Sequence, residues 1–197
     1  MTRFRALQCH RLKLDTRISM FADGVPLTVA LGDAALKSMT DLSRVPAATV
    51  KPETTMDQAM QRMIHVGVRM LFVLDDFGTL AGLVTARDIM GEKPVKLAAE
   101  NHIARDMIRV QDIMVPLGQV DVLDFAEVER STVGDIVLTL RKVGRQHALV
   151  REETPRGEEI RGVFSISQIA RQLGVSIQTN DVVQSFAELE QLLTSDD

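Results

Sequence analysis

Two short stretches carry the residue types best suited to holding a ligand: Gly82-Leu83-Val84-Thr85-Ala86-Arg87-Asp88 and Gly162-Val163-Phe164-Ser165-Ile166-Ser167-Gln168. Each runs glycine, two apolar residues, a hydroxyl residue, two further positions, then a polar side chain. Thr85-x-x-Asp88 and Ser165-x-x-Gln168 both have the spacing of a capping box, in which the hydroxyl and the later side chain bond each other's backbone N–H groups at a helix start. Capping alone accounts for both copies. The N–H groups left unpaired at a helix N-terminus, with the positive end of its dipole, also suit an anion. The last position separates the copies. A carboxylate forms charge-assisted hydrogen bonds about twice as strong as neutral ones, whereas an amide has one acceptor oxygen and a competing NH₂.

The elements that position these stretches come twice. Ala47-Ala48-Thr49-Val50 reads as a short extended run stopped by Lys51-Pro52. From Thr54-Thr55, a helix carries Met56, Ala59, Met60, Met63 and Ile64 on one face and ends at Gly67. Met70 to Leu74 is apolar enough for a buried strand. Asp75-Asp76-Phe77-Gly78 is turn chemistry, Leu80 to Val84 a second strand, and Thr85 to Met90 a helix. Shifting by 77 positions lays Thr55 on Thr132, Met63 on Leu140, Gly67 on Gly144 and Val73 on Val150. Beyond that strand the shift is 80, placing Gly82 on Gly162 and three extra residues in the polar hairpin around Glu152 to Glu159. This duplication is the strongest organising signal in the sequence. Each unit is too small to bury enough surface alone, so two copies packed sheet to sheet are expected, related by a pseudo-twofold axis.

Around this core, Lys96 to Met114 reads as a linker helix, and Ala34 to Met39 as a short helix behind an Asp33 cap. In residues 1–33 only Phe4 to Leu12 suggests a strand, and Cys9 beside His10 reads as two unrelated side chains on opposite faces.

The tandem resembles a pair of CBS domains, a Bateman module, of the stand-alone bacterial type. The resemblance rests on the repeated strand-helix-strand-strand-helix order, on Gly67-Val68 leading into the buried strand, and on Gly82 to Asp88. It implies an α/β (α+β) fold of two β-α-β-β-α repeats. The expected divisions are an N-terminal extension and lead-in helix (1–45), a first CBS domain (46–95), a linker helix (96–120), a second CBS domain (121–175) and an acidic C-terminal amphipathic helix (176–197). It also implies regulatory binding of an adenosyl ligand between the domains, without catalysis and with no cofactor required. The motif hydroxyl would meet a phosphate and the motif aspartate the ribose hydroxyls.

Carried over by position, Thr85, Arg87 and Asp88 would hold the ribose and phosphate. Ala48, Thr49 and Val50 would meet the base through their backbone, Val68 and Met70 would form apolar walls, and Arg69 would add a cation. A second site would comprise Phe125, Ala126, Arg145, Gln146, His147, Ser165 and Gln168, with Phe125-Ala126-Glu127 as the strand equivalent to Ala48-Thr49-Val50. The Asp88-to-Gln168 difference predicts two unequal clefts, a ribose site at Thr85/Asp88 and a second that is weak, empty or adapted to another ligand. Singly, each arginine reads equally well as a solvated side chain; together they point to a phosphorylated ligand. AMP is the first expectation, with ADP, ATP, NAD and S-adenosylmethionine open. His147 reads alternatively as a satisfied core histidine, while His65 and His102 read as helix-surface residues.

Other classes fare less well. The net charge of −4, from 23 basic and 27 acidic residues, predicts no general nucleic-acid surface. Ser167 to Ser176 reads like the first helix and turn of a helix-turn-helix, but residues 176–197 hold five acidic side chains and no Lys or Arg, the wrong charge for a recognition helix. No P-loop, nucleophile elbow, metal-spaced Cys/His cluster or dinucleotide fingerprint is present. No segment approaches the roughly 20 apolar residues of a membrane span, and the lone Cys9 with no signal-like N-terminal run points to the cytosol. Val182, Val183, Phe186, Leu189, Leu192 and Leu193 lie at helical spacing and suggest a docking face, with homodimerisation favoured. A dimerising or docking scaffold without a nucleotide site is the main alternative.

Overall fold

The computed structural model describes residues 28–120, 122–155 and 157–174. The strand expected at Phe4 to Leu12, the Cys9-His10 pair, the C-terminal amphipathic helix and the recognition-helix reading lie outside the described residues.

Helix boundaries follow local chemistry. Thr55 and Gln58 close a capping box ahead of α1 (Met56–Val66), which buries Met56, Ala59 and Met63 and ends at Gly67 with φ 75°. That left-handed conformation costs a glycine little because it has no Cβ. The second copy repeats the device: Thr132 and Asp135 cap α6 (Val133–Val143), and Gly144 ends it at φ 63°.

Each copy forms a four-stranded sheet. The first contains β2 (Thr49–Val50), β3 (Met70–Leu74), β4 (Leu80–Thr85) and β5 (Val115–Pro116), in the order β2-β3-β4-β5. The second contains β6 (Val122–Asp124), β7 (His147–Thr154), β8 (Gly157–Ser165) and β1 (Thr40–Asp41), in the order β6-β7-β8-β1. Val73 pairs with Gly82 and Val150 with Gly162, each followed by a register shift one residue on. The two shifts of 77 and 80 read from the sequence therefore describe one register, with the extra residues lengthening the β7–β8 hairpin.

The edge strands reveal that the repeat is longer than the sequence reading. β1 pairs with Gly162 and Val163, and β5 pairs with Gly82 and Leu83. Thr40 thus corresponds to Val115 and Asp41 to Pro116, a shift of 75. The 3-10 turn Ala35–Ser38 lies in turn on α4 (Val110–Ile113), and the bridge Ala34–Thr132 on Arg109–Thr55. A chain segment preceding each copy therefore crosses over and finishes the other copy's sheet. This explains the motif glycines: a Cβ on Gly82 would lie 2.3 Å from the Val115 carbonyl oxygen, and one on Gly162 would lie 2.5 Å from Met39 Sδ.

Two apolar cores back the sheets, one under each copy. A third, of Met70, Phe72, Leu149 and Val163, lies between the sheets and joins the copies. The result is the expected α/β pair with pseudo-twofold symmetry.

Three local expectations are corrected. The linker is not one helix: α3 (Glu92–Asn101) stops at His102, which is left-handed at φ 51°, and a 3-10 turn (Arg105–Met107) and α4 follow. Asp33 does not cap the lead-in turn, which has no side-chain cap; its carboxylate takes the Ala30 N–H and the Lys37 ammonium instead. Phe125-Ala126-Glu127 is not a strand but part of a short helix, α5 (Phe125–Val128). The strand equivalent to Thr49-Val50 is Val122-Leu123, since Thr49 pairs with Phe72 as Val122 pairs with Leu149. Five positions separate Val50 from Thr55 and nine separate Leu123 from Thr132, so α5 is a four-residue insertion that a gap-free alignment spreads over the strand.

Candidate functional site

Thr85 and Asp88 form the capping box that their spacing predicted, at the start of α2 (Ala86–Met90). The Thr85 N–H and hydroxyl donate to Asp88 Oδ2 at 2.8 and 2.6 Å, and the Asp88 N–H returns a 3.3 Å bond to the hydroxyl. All the capping falls on Oδ2. Oδ1 has no protein partner among the described residues, and the half-buried Asp88 lines a cavity.

That cavity has a volume of about 760 Å³ and lies between the copies, a size suited to a small-molecule ligand. The first copy supplies Met70, Leu83, Thr85, Arg87 and Asp88; the linker supplies Val115, Gln119 and Val120; the second copy supplies Val122, Leu123 and Gly144 to Leu149. Its inner wall is apolar. The exposed guanidinium groups of Arg87 and Arg145 belong to the rim and have no carboxylate partner among the described residues. Lys93 adds a third cation, and the one other acidic lining residue, Glu92, is paired with Lys96 at 2.8 Å. A phosphate-sized anion would meet uncommitted positive charge here, while a donor-rich group such as a diol would meet Asp88 Oδ1.

His147 also lines the cavity, at the start of β7 and in the place that Met70 holds in the first copy. Its pKa is lowered to about 4, chiefly because burial disfavours the imidazolium; the Arg69 charge lowers it further and the Asp88 carboxylate partly opposes both. The unfolded chain, with a histidine near 6.5, binds this proton more readily between pH 6.5 and 4. Stability from a neutral His147 is therefore fully present above about pH 6.5 and is lost as the pH falls toward 4. Urea unfolding at pH 7.5 and 4.5 should show His147→Met losing less stability on acidification than the parent chain, by on the order of 2 kcal/mol. Equal losses in both would mean that a neutral His147 adds nothing to stability.

The sequence-expected residues divide between this cavity and the surrounding framework. Met70, Thr85, Arg87, Asp88, Arg145, Gln146 and His147 share it, so residues expected in two clefts line one. Ala48, Val50 and Val68 pack against the first core instead, and Thr49 precedes Val50 on β2. Arg69 is exposed and reaches the cavity by charge, through its effect on His147. Phe125 packs against the second core, with the Arg161 guanidinium 5.1 Å from its ring, and Ala126 is exposed on α5.

Ser165 and Gln168 depart from the capping expectation. Ser165 makes no side-chain cap to α7 (Ile166–Gln172). The Gln168 amide turns instead to the lead-in, donating to the Ser38 carbonyl and accepting from the Thr40 hydroxyl, both at 3.2 Å. Lys93, Val115, Gln119, Val120, Val122 and Leu123 line the cavity without having been singled out. The strand residues were hidden by the α5 insertion and the linker residues by the reading of 96–120 as a linker helix. Lys93 stands in no motif, and nothing in its spacing marks it.

Comparison with known proteins fits this geometry. Residues 32–94 match the CBS domain family. An uncharacterised protein of Methanopyrus kandleri is 32% identical over 72 residues, which is 36% of this chain and 35% of that one. The matched stretch thus spans about a third of that relative's length. Among solved structures, an uncharacterised conserved protein from Pyrococcus horikoshii superposes with a TM-score of 0.53 at 20% identity, covering 77% of this chain and 99% of its own. A CBS-domain protein from Agrobacterium tumefaciens gives 0.52 at 20% identity, covering 73% and 97%. At such identities the likeness is one of fold, and it covers both copies. Among the described residues, no helix is long and apolar enough to cross a membrane. Residues 32–94 thus match the CBS domain family in sequence, and the pair of copies has the fold of a solved CBS-domain protein.

Proposed function

We propose that this chain is a non-catalytic regulatory module whose Thr85/Asp88 cleft binds an adenine nucleotide. One observation carries the reading: Asp88 keeps one carboxylate oxygen free at the wall of a cavity whose rim holds the uncommitted cations Arg87 and Arg145. The free oxygen suits the vicinal hydroxyls of a ribose, the cations suit a phosphate, and the apolar strand residues between them suit a base. Helix α2 has only five residues, so the arginines rather than its terminus carry the phosphate side. AMP ranks first among AMP, ADP, ATP, NAD and S-adenosylmethionine because a single phosphate needs no more than these two arginines. The ligand would bridge the copies and favour one arrangement of the two sheets, which a partner protein would read as a population shift.

Calorimetric titration tests this. AMP should bind at one site per chain and at least tenfold more tightly than adenosine, a difference of about 1.4 kcal/mol. Absence of binding by every member of that panel would overturn the reading in favour of a docking scaffold. Homodimerisation belongs to the same proposal. Val66 on α1 and its counterpart Val143 on α6 are 43% and 49% exposed, so both copies offer equivalent apolar ground to a second chain. A monomer in sedimentation at micromolar concentration would remove that part.

A further inference from the structure

We infer that Gln168 is a positioning residue that clasps the chain's own lead-in, and that Lys93 does the equivalent work in the other copy, leaving Asp88 free and the chain with one nucleotide site. The number of sites rests on the proposed function; the clasp does not.

The lead-in and the linker correspond at a shift of 75. Ser38 and Ile113 occupy equivalent places, the last residue of the short helical turn before each edge strand. Both are fully buried, and a buried carbonyl needs a donor. In the second copy the donor to Ser38 O is the amide of Gln168 at 3.2 Å. In the first copy the donor to Ile113 O is the Lys93 ammonium at 2.8 Å, which also reaches Met114 O at 3.3 Å. A carboxylate at position 88 has no hydrogen to donate to that carbonyl, so Lys93 from α3 takes the task and Asp88 Oδ1 stays open.

The next residues reinforce the division. Thr40 donates to Gln168 Oε1, whereas its counterpart Val115 has no side-chain donor for Asp88. Arg161 holds Asp41 by an ion pair and donates to Ser43 Oγ at 2.9 Å, whereas its counterparts in the first copy are Ala81 and Pro116. The lead-in is thus fastened through Gln168, Thr40 and Arg161 where Lys93 alone holds the equivalent linker carbonyls, and neither Ser165 nor Gln168 belongs to the wall of the cavity between the copies. Gln168 is not a ligand group weakened by substitution; its partners are Ser38 and Thr40 of its own chain.

Native-state hydrogen exchange on the full chain, without nucleotide, tests the clasp. The reporter is the Leu42 amide, which donates to Arg161 O at 3.0 Å. Gln168→Ala should speed its exchange at least tenfold and leave the β3–β4 amides within twofold of the parent. Thr40→Val should give a smaller rise, and adding it to Gln168→Ala should give less than the product of the two separate rises, because both remove the same bond. Unchanged exchange at Leu42, or equal acceleration throughout both sheets, overturns the clasp. Should Gln168→Ala not fold, Gln168→Met at similar volume takes its place under the same criteria. Equilibrium dialysis with AMP then counts sites on the parent chain: one per chain is expected, and two would overturn the inference even if exchange behaved as stated. None would refute the nucleotide reading alone, and with it the site count, while leaving the clasp to the exchange result.

Discussion

Asp88→Asn should weaken AMP binding tenfold to a hundredfold, about 1.4 to 2.8 kcal/mol, while changing the stability of the free chain by less than about 1 kcal/mol. Asparagine keeps an acceptor oxygen for the Thr85 N–H and hydroxyl, so the capping box survives. What it removes is the charge and the free oxygen facing the cavity, replacing an acceptor of two hydroxyl bonds with an NH₂. Asp88→Ala should lose binding at least as fully but also loosen the start of α2, because no acceptor is left for the Thr85 N–H. The comparison separates ligand recognition from capping. Asn and Ala variants that both bind AMP as the parent chain does would leave Asp88 a cap and nothing more.

The second large effect is on stability. Gly82→Ala should cost about 3 kcal/mol or more, at or beyond the upper end of ordinary overpacking. The added Cβ would sit 2.3 Å from the Val115 carbonyl oxygen and 3.2 Å from Pro116 Cα. Both are backbone atoms of β5, and no rotamer change relieves them; the edge strand must move off the sheet. The three atoms nearest a Cβ at Gly162 all belong to the Met39 side chain, with Sδ at 2.5 Å. Methionine is flexible enough to retreat in part, but Met39 is 4% exposed, so a cost of about 1 to 2 kcal/mol is expected. Urea unfolding without ligand should rank the two in that order. A reversed ranking would mean that the crossing strands do not set the glycine requirement.

Much of the fold was legible because the signals were local. Thr55, Gly67, Thr132 and Gly144 mark helix ends by side-chain caps and left-handed turns, which depend only on near neighbours, and all four act as the spacing implied. The duplication was legible for the same reason: equal local chemistry at equal spacing. Contacts between distant segments were not. Nothing near Thr40 or Val115 announces that each will join the other copy's sheet, because a two-residue edge strand has no periodicity to read. The α5 insertion hid Val122 and Leu123 behind Phe125 and Ala126, and the left-handed His102 broke a linker whose polar and apolar spacing suited a single helix.

The candidate site divided in the same way. Thr85 and Asp88 were found through a seven-residue motif, and Arg87 with them. The meeting of that motif with Arg145, Gln146 and His147 in one cavity depends on sheet-to-sheet packing through Met70, Phe72, Leu149 and Val163. A sequence alignment of the copies places those residues in two separate clefts, since it superposes equivalent positions and carries no information on which copy's residues face which. Gln168 matched a capping box by type and spacing, yet a buried carbonyl 130 residues away claimed its amide.

The central claim is that one nucleotide binds between the copies at Asp88, and backbone amide NMR of the full chain during titration with AMP tests it most directly. The account predicts saturable shifts concentrated at Thr85, Asp88, Gln146 and His147, drawn from both copies, with Ser165 and Gln168 unmoved. Shifts centred on Ser165 and Gln168, or none at any AMP concentration, would contradict it.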